Sequence, residues 1–239
     1  MRVQHKWQYD EMKQTGVDYN DPIQVQVYEA RLKKFKDREE VSKEIINLLG
    51  LKRGQSVIDM GVGTGVFALY AAKHCKKIYA ADVSEAMLDY CRQKAKEAGL
   101  ENIEFCHAGF LTYEHRAEPV DAVVSQVALH HLPDFWKLVG LQRLANMLKD
   151  GGKLYLRDQV YSFETADYPD FFDNWVKNAE QNVDEKFARE IEQGIRDEYI
   201  TLDWIMEGIL ERAGFKIEKA DCYNAFGATY LCTKRLEEK

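Results

Sequence analysis

None of the five cysteines belongs to a C-x-x-C pair, which excludes a zinc ribbon, and their odd number argues against a disulfide framework. Long apolar runs are missing too. The longest, Val66 to Ala72 (VFALYAA), falls far short of the roughly 20 residues a helix needs to cross a bilayer. The start, MRVQHKWQYDEMK, has no apolar stretch of the kind a secretory leader carries, so a cytoplasmic location is expected, without membrane attachment. An excess of positive charge is absent: 33 Lys and Arg stand against 40 Asp and Glu, a net charge of −7. That balance argues against a protein that neutralises a nucleic-acid backbone. No repeat or low-complexity tract is found. What remains is an ordinary globular composition, 46% apolar and 31% charged, in 239 residues, enough for one large domain with an appendage.

Residues 1–50 are charged and helical in pattern. Val25, Tyr28, Leu32 and Phe35 recur at spacings of three and four, as do Val41, Ile45, Leu48 and Leu49. They are read as an N-terminal helical extension or lid, with residues 51–239 as the main domain. There the chain alternates. Ser56–Met60, Lys77–Asp82, Ile103–Ala108, Ala122–Val127 and Lys153–Arg157 read as strands, the last entered through the turn Gly151-Gly152. Helices fall between them. Ser84 is the expected N-cap of one whose inner face carries Met87, Leu88, Cys91, Ala95 and Ala98, ending at Gly99. Pro133 and Asp134 open another, with Phe135, Leu138, Leu141, Leu144 and Leu148 on one face. Such βαβ units imply an α/β, doubly wound, mostly parallel sheet. Thr201–Ala213 reads as a further helix, and Phe215–Ala220 with Thr229–Thr233 as an antiparallel C-terminal edge. Residues 161–200 interrupt the rhythm with eight aromatics in forty positions. They are expected on the substrate side, or else as core or a dimer contact.

The sharpest chemical signal is Val57-Ile58-Asp59-Met60-Gly61-Val62-Gly63-Thr64-Gly65. A strand ends in a carboxylate, and three alternating glycines lead into a helix, whose N-terminal N–H groups attract negative charge. Asp82 ends the next strand, where a carboxylate can accept from both hydroxyls of a ribose. A dinucleotide fingerprint, G-x-G-x-x-G/A, would need a small residue at Val66, so the spacing departs from an NAD-dependent oxidoreductase. An acid two positions before the first glycine suits a ligand with an ammonium group better than a pyrophosphate.

VIDMGVGTG (57–65), AADVSEAML (80–88), VDAVVSQVALHHLPD (120–134) and MLKDGGKLYLRD (147–158) together resemble the class I S-adenosylmethionine (SAM)-dependent methyltransferases. The resemblance implies a seven-stranded Rossmann-like sheet and methyl transfer to a small-molecule acceptor, its nucleophile O, N, S or C. It also implies SAM as cofactor and S-adenosylhomocysteine as product; no spacing of the cysteines suggests a shared ligand set and His74-Cys75 point apart on a helix, so no metal is expected. Gly61, Gly63 and Gly65 would lie under the methionine part, with Asp59 holding the loop and amino group. Asp82 would take the ribose diol, Val83 an adenine face, and Gln126 the methionine side near the sulfonium. Where the family often has Asp after the third strand, this chain has Gly109. Adenine would then rest on backbone groups and on Phe110. His131, with His130 second, is the expected base for a protonated nucleophile. Tyr9, Tyr19 and Tyr28 are expected as walls or a lid for the acceptor, in a monomer or homodimer. The other readings are a non-catalytic protein-binding module of the same fold and an oxidoreductase. A nucleic-acid methyltransferase fits poorly, since Ser125-Gln126-Val127-Ala128 lacks an N-P-P-Y-type motif.

Overall fold

Alternation along β1 (Ser56–Met60) sends Ile58 and Met60 to one face of a sheet and Val57 and Asp59 to the other, and every residue from Val57 to Met60 is buried. Both faces must therefore be covered. In the computed structural model, which describes residues 5–13, 15–32 and 38–236, they are. One face packs on Leu129, Leu141, Leu144, Met206 and Phe215, the other on Ile45, Phe67, Ala71, Leu88 and Cys91.

The strands are β1, β2 (Lys77–Asp82), β3 (Ile103–His107), β4 (Val120–Gln126), β5 (Leu148–Tyr161), β6 (Thr201–Leu202), β7 (Phe215–Tyr223) and β8 (Gly227–Lys234). Their order is β3-β2-β1-β4-β5-β8-β7, with two-residue β6 paired to the end of β5. Pairs up to β4–β5 are parallel; β5–β8 and β7–β8 are antiparallel. The expected mixed sheet with an antiparallel C-terminal edge is what forms. The chain winds outward from β1 through β2 to β3, then returns to place β4 on the other side of β1. Ligands of such sheets bind at that reversal, beyond the carboxyl ends of the strands.

The helices are α1 (Pro22–Leu32), α2 (Arg38–Leu49), α3 (Val66–Ala72), α4 (Glu85–Glu97), α5 (Asp134–Met147), α6 (Tyr168–Asn182), α7 (Glu185–Asp197) and α8 (Asp203–Arg212). Phe35, expected on the apolar face of the first helix, lies outside the described residues. Ser84 caps α4 as expected, its Oγ accepting from Met87 N at 3.1 Å.

Three periodicity readings are corrected. On α2, Ile46 is buried and Leu48 exposed. Ala98 is the C-cap of α4, exposed rather than on its inner face. On α5, Phe135 is 66% exposed while Lys137 is fully buried, and Leu148 already belongs to β5. The glycine pair does not precede the strand but lies within it. Val120 pairs with Leu148 and Ala122 with Lys153, so the intervening residues bulge out, with Gly151 at φ 71°. Residues 161–200 are mainly the helical pair α6 and α7. Among the described residues no helix is long and apolar enough to cross a membrane.

Candidate active site

The cleft begins at the glycine turn after β1. Gly61, Gly63 and Gly65 all have positive φ, and Gly61 N and Val62 N donate to the carbonyl of Ala81, locking the turn to β2. A Cβ at Gly61 would stand 2.5 Å from Ala128 Cβ, and one at Gly65 would collide with Cys91 Sγ; around Gly63 there is open space to 4 Å. The outer glycines allow packing, and the middle one leaves its backbone bare toward the cleft. Asp82, buried at the end of β2, accepts from Gly63 N at 2.8 Å and from Ser84 N at 2.9 Å. Val83 N also donates to this carboxylate, which still has acceptor capacity for a ligand, and burial holds the carboxyl above its usual range.

Asp59 does not line the cleft. It is buried beneath the loop, accepting from Ala68 N, and burial together with the nearby Asp82 raises it to about 7. Gly65 is also below the surface that Gly61, Gly63, Asp82, Val83 and Gln126 present.

At the β3 end the sequence leaves a gap that the fold closes from elsewhere. A Cβ at Gly109 would stand 2.6 Å from Glu11 Cδ and 2.8 Å from Val83 Cγ1. Glu11, 7% exposed, accepts from Leu111 N (2.9 Å), Thr112 N (2.7 Å) and Thr112 Oγ1 (2.7 Å). Burial raises its carboxyl, opposed by these donors. Phe110 reaches the cleft but is 5% exposed and packed among core residues, with Gly140 against its Cβ. That leaves Val83 and Met87 as the apolar walls there.

The opposite end is built by the loop after β4. Val127, at φ 55°, holds a conformation costly for a β-branched residue, on the order of 1–3 kcal/mol, and its N–H is fixed to the Arg157 carbonyl at 2.7 Å. This kink starts the turn Leu129–His131. His130 is buried, its Nδ1 2.5 Å from Asp158 Oδ1, and Asp158 also accepts from Leu129 N. Burial opposes the charge on both, but their mutual attraction prevails: His130 is raised and Asp158 lowered. His131 is lowered to about 3 by burial and by His130, so its imidazole is neutral and a weak proton acceptor. Glu198 completes the group, its Oε2 3.4 Å from His130 Nε2 and its Oε1 4.0 Å from His131 Nδ1. It is held there by its neighbours: Tyr199 N donates to His130 O, and Lys137 Nζ donates to Tyr199 O.

Of the predicted tyrosines, Tyr19 and Tyr28 line the cleft and Tyr9 stands behind it, donating to the His131 carbonyl at 3.1 Å. Sequence reasoning missed Glu11, Asp158 and Glu198. Of the three, only Asp158 carried a signal, as an acid directly after the expected strand Lys153–Arg157.

Residues 57–152 match the family model described as a methyltransferase domain. An uncharacterized methyltransferase of Geobacillus thermodenitrificans is 29% identical over 182 residues, 76% of this chain and 78% of that protein. A SAM-dependent methyltransferase from Aquifex aeolicus superposes with a TM-score of 0.62 at 23% identity, covering 90% of this chain and 98% of that one. Magnesium protoporphyrin IX methyltransferase from Synechocystis, solved with bound SAM, gives 0.56 at 16% identity, covering 94% and 88%. Residues 57–152 are thus a methyltransferase domain, and the chain around them has the fold of the SAM-dependent methyltransferases.

Proposed function

We propose that the protein methylates a small-molecule acceptor in the cleft between the glycine turn and the His130–His131–Glu198 group. One observation carries this reading. A single cavity runs from Glu11, Asp82, Val83 and Met87 at one end, across the bare backbone of Gly63, to Gln126, His131 and Glu198 at the other. Bound there, SAM supplies a methyl group on a cationic sulfur.

In this reading Asp82 accepts from the ribose hydroxyls, and Val83 with Met87 flanks the base. Glu11 presents its carboxylate at the edge where position 109 lacks one. Gly61 and Gly63 let the chain approach the methionine part, while Asp59, from below, offsets its ammonium charge. Gln126 faces the sulfur side. Displacement at such a centre spreads charge rather than creating it, so alignment does most of the work, about 7–11 kcal/mol for a well-oriented pair. The nucleophile then approaches from the His131 side, where Tyr19 and Tyr28 help exclude water. His131 is kept as the group next to the acceptor, but its low proton affinity favours a binding role over that of base.

Residues 1–50 are read as a lid. Supporting this, Glu11, Lys13, Thr15, Tyr19 and Tyr28 line the same cavity as the main domain, and Ser84 Oγ donates to the Tyr19 carbonyl at 2.7 Å. Arg31 of α1 also pairs with Glu190 of α7 and lies 4.4 Å from the Phe187 ring centre, which joins the lid to the 161–200 insertion. Crystals grown with S-adenosylhomocysteine test the reading. The ribose is expected on Asp82 and the sulfur toward Gln126. A ligand in the reverse orientation, or no calorimetric binding at millimolar concentration, counts against it.

A further inference from the structure

His130, His131 and Glu198 each offer one donor atom, and the three lie within 4.8 Å of one another. Two of the separations are 3.4 and 4.0 Å. Donors bound at 2.0–2.1 Å to one tetrahedral ion stand about 3.4 Å apart, so the widest of these separations would have to close by at most about 1.4 Å, within the reach of side-chain rotation. The side chains are oriented for it. Asp158 occupies Nδ1 of His130 and thereby turns Nε2 toward Glu198, the carboxylate–histidine arrangement that fixes a metal-binding imidazole. His131 Nδ1 is buried and has no hydrogen-bond partner. A buried ring nitrogen left so is costly, and a cation would satisfy it.

We propose that His130, His131 and Glu198 bind a divalent transition-metal ion of the zinc class, with Asp158 orienting His130 and one coordination position open to the cleft. Two imidazoles and one carboxylate form a donor set that zinc accepts while retaining a site for an exchangeable ligand. The expectation of no metal came from spacing along the chain, and the third donor lies 67 positions beyond His131. The site itself does not depend on the SAM reading. Its consequence does: an acceptor O–H or S–H entering the open position would have its pKa lowered and lose its proton to solvent, leaving the bound anion as nucleophile without a dedicated protein base.

The test uses the untagged full chain, stripped with a chelator and titrated with Co²⁺ and then Zn²⁺ in the absence of SAM. One equivalent of Co²⁺ is expected to give the visible absorption of a four- or five-coordinate ion, and Zn²⁺ to displace it. His131→Ala and Glu198→Gln should each weaken binding at least tenfold, Asp158→Asn by about 10–100-fold. His74→Ala, at an exposed position, should leave it unchanged. If stripped wild-type protein takes up no stoichiometric ion at 100 μM metal, the proposal is overturned, whatever the variants do. It is equally overturned if ions bind but His131→Ala and Glu198→Gln bind as well as wild type. Calorimetry of S-adenosylhomocysteine with the stripped protein is a separate measurement, so failure of the metal site and failure of the cofactor reading are told apart.

Discussion

The carboxylate of Glu11 occupies the space that a side chain at Gly109 would need. The two positions are alternatives: an acid can come from the loop after β3 or from the N-terminal segment, but not from both. Gly109 has no positive φ, so its backbone accepts a side chain once the space is free. Gly109→Asp alone should expel Glu11 and loosen residues 5–13. Glu11→Ala alone leaves the N–H groups of Leu111 and Thr112 without their partner and should cost about 1–3 kcal/mol of stability. The double variant should recover stability and S-adenosylhomocysteine affinity toward wild type. Thermal melts and calorimetry on the three proteins decide it. Losses that simply add would show that the two positions do not substitute for each other.

Asp82 holds the backbone of Gly63, Val83 and Ser84 through its oxygens and also lines the cleft. Asp82→Ala should therefore weaken S-adenosylhomocysteine binding at least tenfold, about 1.4 kcal/mol. Asp82→Asn keeps one acceptor and should fall between. Calorimetric affinities of Asp82→Ala within twofold of wild type would remove the ribose assignment.

The features legible in the sequence are those that local chemistry encodes. The Ser84 cap lies three residues from its partner, and the glycine turn and Asp82 each sit directly at the end of a strand that its own residues encode, although the bond between them spans 19 positions. Glu11 and Glu198 were not legible, because what defines them is distance: Glu11 meets Leu111 across 100 positions, and Glu198 meets His130 only after α6 and α7 have folded back. Gly109 marked the departure without revealing what compensates for it. Periodicity also misled on α5, where it favoured Phe135 for the inner face. The fold instead buries Lys137, whose ammonium finds Asp134 and the Tyr199 carbonyl.

Asp59 carries a pH signature. Its carboxyl is raised from 3.8 to about 7 in the folded chain, burial being the main cause and Asp82 the second. Between those values the folded state binds more protons than the unfolded one, so this group's contribution to stability falls as pH rises, and the full penalty is present above about pH 7. Asp59→Asn removes the titration while its amide oxygen can still accept from Ala68 N. Without cofactor, the variant should gain on wild type at pH 8, and the gain should fade as pH falls to about 4. Melting temperatures of both proteins across that range are the check. Parallel curves would mean that Asp59 titrates normally.

Lys137 is expected to act on the cleft without touching it. It is fully buried, its Nζ 2.7 Å from Asp134 Oδ1 and bonded to the Tyr199 carbonyl, while Thr201 Oγ1 reaches Asp134 Oδ2 at 3.1 Å. Together these bonds hold residues 199–201 beside β5 and so fix Glu198 over His130. Lys137→Met roughly keeps the volume and removes the donor, leaving the partly buried Tyr199 carbonyl without it at a cost of about 1 kcal/mol. Asp134, half exposed, can turn to water instead. Hydrogen exchange should then accelerate at the Tyr199 amide, which donates to the His130 carbonyl, with the amides of Gly63 and Ser84 unchanged. Faster exchange at both ends of the cleft would mean that Lys137 supports the domain as a whole. Faster exchange at neither would mean that the short β5–β6 pairing alone holds Glu198 in place.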